Sequence, residues 1–300
     1  MSRPAAFPTT TNRRVPLAAG ACGLIWGSTF LFISVGNDTL PPVWAATLRL
    51  ALASTILFTL ARLTRQPLPR GAALGAAAAF GLLQFGINFP LLYWSEKTVP
   101  SGLAAIVFGT IPLQAAFLAW RVGLERLAWP RVIGGLVAVV GIALLFGGVL
   151  ERRPDPRPLA AVLLATVSAN VGSTIYKMGP RQATIPANAV ATALGAVVSF
   201  GVSRIAGEPA ILPPTPASWM TLGYLTIAGS IGAFVLWTWL VARVPVTRLS
   251  FVSVVAPLIA LILGVAVRHE RPAPLSAIGA LVVLVGLAIG LELGALRERR

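Results

Sequence analysis

A stripe of polar and aromatic side chains in the apolar segment 72–94 is the part of the sequence best suited to binding a small molecule. Gln84 and Asn88 are four residues apart and Ser95 follows seven later, so a helix would place all three on one side. The rings beside them are those of Phe85, Phe89 and Tyr93. Amides next to rings fit a ligand with an apolar ring and a polar backbone. Alternatively, the two amides only bond neighbouring helices.

Four side chains outside this segment are further candidates for the same cavity. Asn170 and Tyr176 lie on one predicted helix, which ends in Lys177, a residue that we expect to extend toward the cytoplasm. Trp26 and Trp237 lie deep within apolar segments. Five of the eight tryptophans fall near segment ends, where the aromatic belt of membrane proteins explains them without a binding role.

Two prolines are predicted to act as hinges. Pro112 and Pro257 lie deep in apolar segments, and a proline inside a helix deprives the carbonyl four residues earlier of its partner. Those carbonyls belong to Phe108 and Ser253, and in a membrane they must face protein or a watery cavity. A hinge would let the helices move and would offer the carbonyls to a substrate ammonium. The alternative is a kink that only shapes packing.

Charged side chains are scarce inside the apolar segments. All nine acidic residues fall at or near predicted helix ends or in loops. This favours a facilitator driven by the substrate gradient, or a carrier coupled by another route, over antiport through a buried carboxylate. Arg49 is the one charge well inside a segment, close enough to its start to snorkel and bond carbonyls of a neighbouring helix end; contact with a substrate carboxylate is the alternative. A single Cys22 and a single His269 exclude the usual zinc spacings, so we expect no metal, cofactor or catalytic residue.

These residues must be positioned by helices that cross a membrane. The chain is 56% hydrophobic and 11% charged, with a mean hydropathy of +0.83, which leaves too little polar surface for a soluble globule. Its net charge of +15 lies in short clusters between apolar runs, which indicates membrane orientation and no nucleic acid partner. A bilayer needs about 20 apolar residues per helix, so we predict an all-α integral membrane protein. Its ten spans, numbered 1 to 10, are 15–35, 43–63, 72–94, 102–120, 132–150, 159–178, 187–205, 219–240, 249–267 and 275–293.

The segment 99–143 occurs twice, because adding 145 to each number gives a second copy without a gap. In this way Pro112 pairs with Pro257 and Glu125 with Glu270. Matching Pro, Gly and Glu residues at one fixed offset are hard to obtain by chance, so the pattern predicts an internal duplication.

The duplicated unit extends over half of the chain and holds five spans. We expect a first five-helix repeat at 15–150 and a second at 159–294, joined by a linker at 151–158 that is rich in Pro and Arg. Because five is odd, the second copy must enter the membrane from the opposite side, so the repeats are inverted.

The orientation follows from the basic residues beside the spans. Of the 24 Lys and Arg residues, sixteen lie on the side of the N-terminus, seven lie on the other, and Arg49 lies within a span. Basic residues accumulate on the cytoplasmic side, so both termini, at 1–14 and 295–300, are predicted to be short cytoplasmic tails.

Inverted repeats with a site at their interface are a recurring plan of secondary transporters, whose halves rock around a fixed site. The sequence also resembles the drug/metabolite transporter superfamily. The resemblance rests on the Trp-Gly-Ser-Thr-Phe run at 26–30, on Arg49 in the second span, and on Pro112 and Glu125 with their echo in the second half. Within the superfamily the chain is most similar to ten-helix bacterial exporters, and among those to exporters of aromatic amino acids.

The resemblance implies an inner-membrane protein with a central cavity lined by spans 1, 3, 4, 6, 8 and 9. Spans 5 and 10 would be peripheral, and their glycines fit a packing role. Those glycines are Gly134, Gly135, Gly141, Gly279, Gly286 and Gly290. A homodimer through spans 5 and 10 is a further expectation.

The sequence therefore predicts a carrier in the lipid bilayer that exports small metabolites, including aromatic amino acids, by alternating access. An exporter of hydrophobic or cationic drugs would use the same cavity. The alternatives from other classes are a membrane-embedded enzyme acting on lipids and a sensor that transports nothing. The enzyme would need a carboxylate pair, a Ser/His pair or metal ligands, which the sequence does not offer.

Overall fold

The computed structural model describes residues 14–99, 101–145, 156–268 and 274–297, and within these ranges every regular element is a helix. The helices in chain order are α1 (Arg14–Asn37), α2 (Pro42–Leu63), α3 (Ala72–Ser95), α4 (Ser101–Gly109), α5 (Ile111–Arg121), α6 (Trp129–Leu145), α7 (Pro156–Met178), α8 (Thr184–Ile205), α9 (Pro216–Val241), α10 (Val246–Leu249), α11 (Val252–Arg268) and α12 (Pro274–Arg297). Seven helical stretches of this described part are long and apolar enough to cross a membrane. The predictions for 1–13, 151–155, Glu270 and 298–300 lie outside the described residues.

Every predicted span overlaps helical structure, but spans 4 and 9 are each broken in two. Thr110 separates α4 from α5, and two residues separate α10 from α11. Pro112 lies in the first turn of α5, where a missing N–H removes no helical hydrogen bond. The prediction that Pro112 lies deep within a continuous helix is therefore wrong, whereas Pro257 does lie inside α11.

Two helices contain a π-helical segment at corresponding positions. The segment in α3 is Leu82–Ile87 and the segment in α9 is Leu225–Gly232. Adding 145 to 82–87 gives 227–232, which falls within the second segment. Such wide turns inside an α-helix are rare and occur often at functional sites.

The helices pack in pairs that repeat under the same offset. Contacts of α1 with α11 correspond to contacts of α7 with α4 and α5, and contacts of α3 with α8 correspond to those of α2 with α9. The pairs α2–α8 and α6–α12 each join a helix to its own counterpart. The largest cluster of buried apolar residues lies among α1, α2, α3, α7, α8 and α9.

Glycines allow α6 and α12 to approach until their backbones touch. A Cβ added to Gly134 would lie 2.5 Å from the amide nitrogen of Gly290, and one added to Gly141 would lie 2.5 Å from that of Val283. These glycines therefore pack α6 against α12 within one chain, as predicted. The homodimer through these helices stays a prediction, and it would have to use their outer faces.

Two carboxylates cap the starts of distant helices. Glu208 accepts hydrogen bonds from the backbone N–H groups of Val43 (3.2 Å) and Trp44 (2.7 Å) in the first turn of α2. Gly207 precedes it with a φ of +69°, a left-handed conformation that ends α8. Glu125 likewise accepts from Val246 at the start of α10, at 2.6 Å. Both contacts satisfy N–H groups that have no partner within their own helix.

Candidate functional site

A cavity of about 110 Å³ lies between α1, α2, α3, α7, α9 and the two broken pairs, α4–α5 and α10–α11. Its lining residues are Trp26, Thr29, Ile33, Arg49, Gln84, Asn88, Phe89, Leu92, Tyr93, Phe108, Ile111, Ala169, Asn170, Ser173, Phe234, Trp237, Ser250, Ser253 and Ala256. An apolar cavity of about 150 Å³ binds benzene, and this cavity is somewhat smaller.

Most side chains predicted for the cavity line it. They are Trp26, Gln84, Asn88, Phe89, Tyr93, Phe108, Asn170, Trp237 and Ser253. Phe85 and Tyr176 do not. The structure thus brings residues from six of the predicted spans to one place.

Phe85 belongs to the layer behind the cavity wall. Its ring packs against those of Phe80 at 5.7 Å and Phe234 at 4.6 Å, and the side chain is fully buried. In a regular helix Phe85 and Phe89 would share a face. The π-helical segment that contains Phe85 changes this periodicity and turns the ring away.

Tyr176 packs on Phe80, with the two ring centroids 5.3 Å apart, and lies away from the cavity. It follows Asn170 by six residues, which at 3.6 residues per turn places the two side chains on different faces of α7. Lys177, which was predicted to extend toward the cytoplasm, is half-buried at the end of α7. Its Nζ donates to the carbonyl oxygens of Val241 (2.7 Å) and Val244 (3.0 Å) at the end of α9.

Aromatic rings form the apolar wall of the cavity. The ring of Trp26 lies 4.8 Å from that of Trp237 and 5.8 Å from that of Phe234, and Phe89 faces Phe234 at 6.1 Å. The indole N–H of Trp237 donates to Ser173 at 3.1 Å, which fixes the orientation of the ring. A planar apolar group would find stacking partners here.

Arg49 brings a positive charge to this wall. Its side chain is only 1% exposed, so the prediction that it snorkels to the interface and bonds carbonyls is wrong. Instead Nε donates to the hydroxyl of Ser230 (2.6 Å) and Nη1 to that of Tyr93 (3.0 Å), and the guanidinium lies 4.9 Å from the centre of the Phe89 ring. Gly229 leaves room for it, since a Cβ there would come within 2.7 Å of Nη2.

Amide side chains also contribute to the lining, from Gln84, Asn88 and Asn170. Asn170 donates to the amide oxygen of Gln114 (2.9 Å), and the amide nitrogen of Gln114 donates to the hydroxyls of Thr110 and Thr166. Asn88 is 4% exposed and its Oδ1 has no hydrogen-bond partner among the described residues. A buried acceptor without a partner is costly, so Asn88 is suited to accept a hydrogen bond from a ligand.

The helix breaks also border the cavity. Phe108 and Ser253 line it, and so do Ile111 and Ala256, which directly precede the two prolines. Each of these pairs is separated by 145 residues. Hinge motion at the prolines stays a prediction.

One carboxylate departs from the expectation that no acidic group is buried. Both side-chain oxygens of Glu96, which directly follows α3, are buried and have no hydrogen-bond partner in the described part of the chain. Burial raises the pKa of Glu96 to about 8, and the charge of Arg49 acts in the opposite direction. Its position at a helix end suggested exposure, because hydropathy does not reveal which helix ends are covered by neighbours.

Sequence reasoning missed several lining residues, and the repeat offset could have found some of them. Phe234 lies 145 residues after Phe89, and Ala256 lies 145 after Ile111. Thr29 belongs to the run at 26–30 that also contains the predicted cavity residue Trp26. Nothing in the sequence distinguishes Ala169 from the other small residues of its helix.

Comparison with known proteins gives two matches to the EamA-like transporter family, over residues 15–147 and 157–291. An uncharacterized inner membrane transporter, YedA, of Escherichia coli strain K12 is 29% identical over 269 residues, which is 88% of this chain and 87% of YedA. A protein named as a probable terminal-alkyne amino-acid exporter of Streptantibioticus cattleyicolor is 27% identical over 269 residues, covering 88% of this chain and 89% of its own. A probable amino-acid metabolite efflux pump of Escherichia coli strain K12 is 27% identical over 282 residues, 89% and 91% of the two chains.

A solved protein crystal structure has the same fold. It superposes with a TM-score of 0.80 and covers 93% of this chain and 99% of its own, at 21% sequence identity. At that identity the likeness concerns the fold alone.

Proposed function

The chain belongs to the EamA-like transporter family, within the drug/metabolite transporter superfamily, and from this premise we propose that it is an inner-membrane carrier that exports amino acids, including aromatic ones. Two relatives named as an amino-acid exporter and an amino-acid metabolite efflux pump support the substrate class. A relative named as an inner membrane transporter supports the location.

The observation that carries the proposal is the position of Arg49. Its guanidinium lines the cavity, and no acidic side chain among the described residues forms an ion pair with it. A guanidinium has five N–H donors, and Ser230 and Tyr93 take up two of them. The remaining donors suit a carboxylate, which guanidinium groups bind through paired hydrogen bonds.

The rest of the lining fits the other parts of an amino acid. Asn88 Oδ1, which has no partner within the described part of the chain, suits an ammonium group, and an apolar side chain would lie among Trp26, Phe234 and Trp237. This division of polar and apolar groups is that expected for a site that fixes a ligand's orientation with a few polar contacts.

Transport by alternating access follows from the proposed architecture of ten spans in two inverted five-helix repeats, with both termini in the cytoplasm. Two separate family matches, π-helical segments at corresponding positions, and helix pairs that recur under one offset support the repeat. The cavity lies between the two repeats, where inverted-repeat carriers hold their substrate.

The main alternative is an exporter of drugs. A buried positive charge in the cavity disfavours cationic compounds, while neutral hydrophobic compounds would still fit the aromatic wall. The relatives named as transporters argue against a lipid-modifying enzyme or a sensor that transports nothing.

The test is flux measured with purified protein in liposomes. A panel of neutral amino acids, the corresponding amines without a carboxyl group, and hydrophobic cations is loaded, and efflux is followed against protein-free liposomes. We expect saturable efflux of amino acids, with aromatic ones among the best. Efflux of the cations or amines without efflux of any amino acid would replace the proposal with the drug exporter, and no efflux at all would refute it.

A further inference from the structure

The carboxylate of Glu96 has no role in the site described so far. Glu96 as a residue is half-buried, yet both its carboxylate oxygens are buried and unpartnered within the described residues. An ionised carboxylate in such a place is costly. In membrane proteins, ionisable groups that are kept buried despite this cost commonly carry ions or protons.

The surroundings of Glu96 connect it to the cavity. Tyr93 lies one helical turn before it, and the hydroxyl of Tyr93 accepts a hydrogen bond from Arg49. The helices packed against α3 are α2, α7 and α8. Their other titratable side chains are Arg62, Arg157, Tyr176, Lys177 and Arg204. The charge that acts on Glu96 is that of Arg49, which favours the ionised form, against the larger effect of burial.

Burial raises the pKa of Glu96 to about 8, so this carboxyl changes charge within the physiological range. Its proton affinity therefore depends on how strongly Arg49 attracts the ionised form. A substrate carboxylate bound to Arg49 places a negative charge beside the guanidinium and weakens that attraction. Glu96 then binds a proton more tightly.

We propose that Glu96 is a proton-binding site coupled to substrate binding at Arg49, so that the carrier moves a proton together with each substrate molecule. This inference rests on the proposed function, because it requires a carboxylate-bearing substrate. Linkage makes the coupling reciprocal: protonation of Glu96 must raise the affinity for the substrate by the same factor.

The charge balance of the cycle is simple. Glu96 takes up a proton on the side where the substrate binds and releases it where the substrate leaves, and no bond of the substrate changes. Net export is then driven by the substrate's own concentration gradient, and protons leave with it. Coupled export replaces the uncoupled flux expected from the sequence.

Proton movement during efflux tests the proposal. Liposomes containing the purified protein are loaded with phenylalanine and a pH-sensitive dye, and potassium with valinomycin holds the voltage at zero. We expect the interior to become alkaline as phenylalanine leaves. Glu96→Gln should still export phenylalanine but without the pH change, whereas the control Asp38→Asn, which alters an exposed carboxylate in the loop after α1, should behave like wild type.

An infrared titration of the purified wild-type protein provides a test that needs no transport. The band of a protonated carboxyl group should disappear near pH 8, be absent in Glu96→Gln, and persist to higher pH when phenylalanine is present.

Efflux without alkalinisation, or a wild-type protein without this band, overturns the inference and leaves the proposed function standing. Absence of efflux with the band present refutes the proposed function instead, and a band unmoved by phenylalanine refutes the coupling.

Discussion

At the scale of single residues, the proposed function depends on Arg49, whose side chain lines the cavity and bonds Ser230 and Tyr93. A buried guanidinium is costly unless its hydrogen bonds are made, and among the described residues the hydroxyls of Ser230 and Tyr93 take up only two of its five donors. A substrate carboxylate would accept hydrogen bonds from the remaining donors of Arg49. An amine or a cation would leave the charge unpaired, so selection against such compounds follows from the same contact.

The Arg49→Lys variant keeps the positive charge but removes the planar guanidinium, so it tests whether the geometry of the group matters. Hydrogen bonds to charged groups contribute roughly 1.5–3 kcal/mol, so loss of the paired geometry should raise the KM for amino acids roughly tenfold or more. Flux of a carboxyl-free amine should not fall. Arg62→Lys, on the exposed side of the same helix, is the matched control. Equal KM values for Arg49→Lys and wild type would contradict the assignment of the carboxylate to Arg49.

Glu96 should also make folding stability depend on pH. Burial raises the pKa of Glu96 from 4.5 to about 8, so the folded state binds the proton more tightly than the unfolded chain does. The stability from this group is complete below pH 4.5, is lost as pH rises toward 8, and changes no further above it. Melting temperatures in detergent should show this slope in wild type and lose it in Glu96→Gln. A slope unchanged in the variant would assign it to other groups.

The residues that the sequence predicted well and those it missed differ in a physical way. Gln84 and Asn88 were found because a spacing of four residues places them on one side of a helix, and both line the cavity. Phe85 was misplaced because a π-helical turn, which has no clear signal in hydropathy, rotates it out of that face. The burial of Arg49 and Glu96 depends on contacts with other helices, which local sequence does not contain.

At the scale of helices, the α6–α12 pair fixes one side of the molecule through direct backbone contact. Gly134→Ala would insert a methyl group 2.5 Å from the Gly290 nitrogen. Overpacking of this kind costs about 1–3 kcal/mol, so the melting temperature should fall while substrate preference stays unchanged. Gly75→Ala, which meets nothing within 4 Å, should leave stability equal or slightly higher. Equal melting temperatures for the two variants would contradict the packing.

The two prolines should differ in effect because the structure places them differently. Pro257 interrupts α11, so Pro257→Ala restores a helical hydrogen bond and should stiffen the helix beside the cavity. Pro112 lies in the first turn of α5, where alanine restores none. We expect Pro257→Ala to slow the maximal transport rate clearly more than Pro112→Ala, as measured by initial efflux rates. The reverse order would contradict the hinge assigned to α11.

For spans 4 and 9, the sequence predicted that the two proline regions correspond but not where each helix breaks. The offset of 145 residues predicted that the two proline regions correspond, and both border the cavity. Hydropathy could not show that the first copy breaks at Thr110 while the second stays helical around Pro257, since both stretches are uniformly apolar. Tertiary packing decides this difference.

At the scale of the whole molecule, inversion of the repeats predicts that equivalent loops lie on opposite sides of the membrane. The one cysteine, Cys22, is fully buried, so single cysteines introduced at exposed sites can be labelled selectively. Asp38→Cys and Ile211→Cys should react with an impermeant thiol reagent added outside intact cells. Arg65→Cys and Arg181→Cys should react only after the membrane is opened. Labelling of positions 38 and 181 from the same side would exclude the inversion.

Counterflow in liposomes is the most direct test of a carrier that binds amino acids through their carboxyl group. Proteoliposomes are loaded with unlabelled phenylalanine at high concentration, diluted, and given a trace of labelled phenylalanine outside. Alternating access predicts transient accumulation of the label above equilibrium, and interior phenylethylamine in place of phenylalanine should not produce it. Label that only equilibrates, or equal accumulation with the amine, would contradict the account.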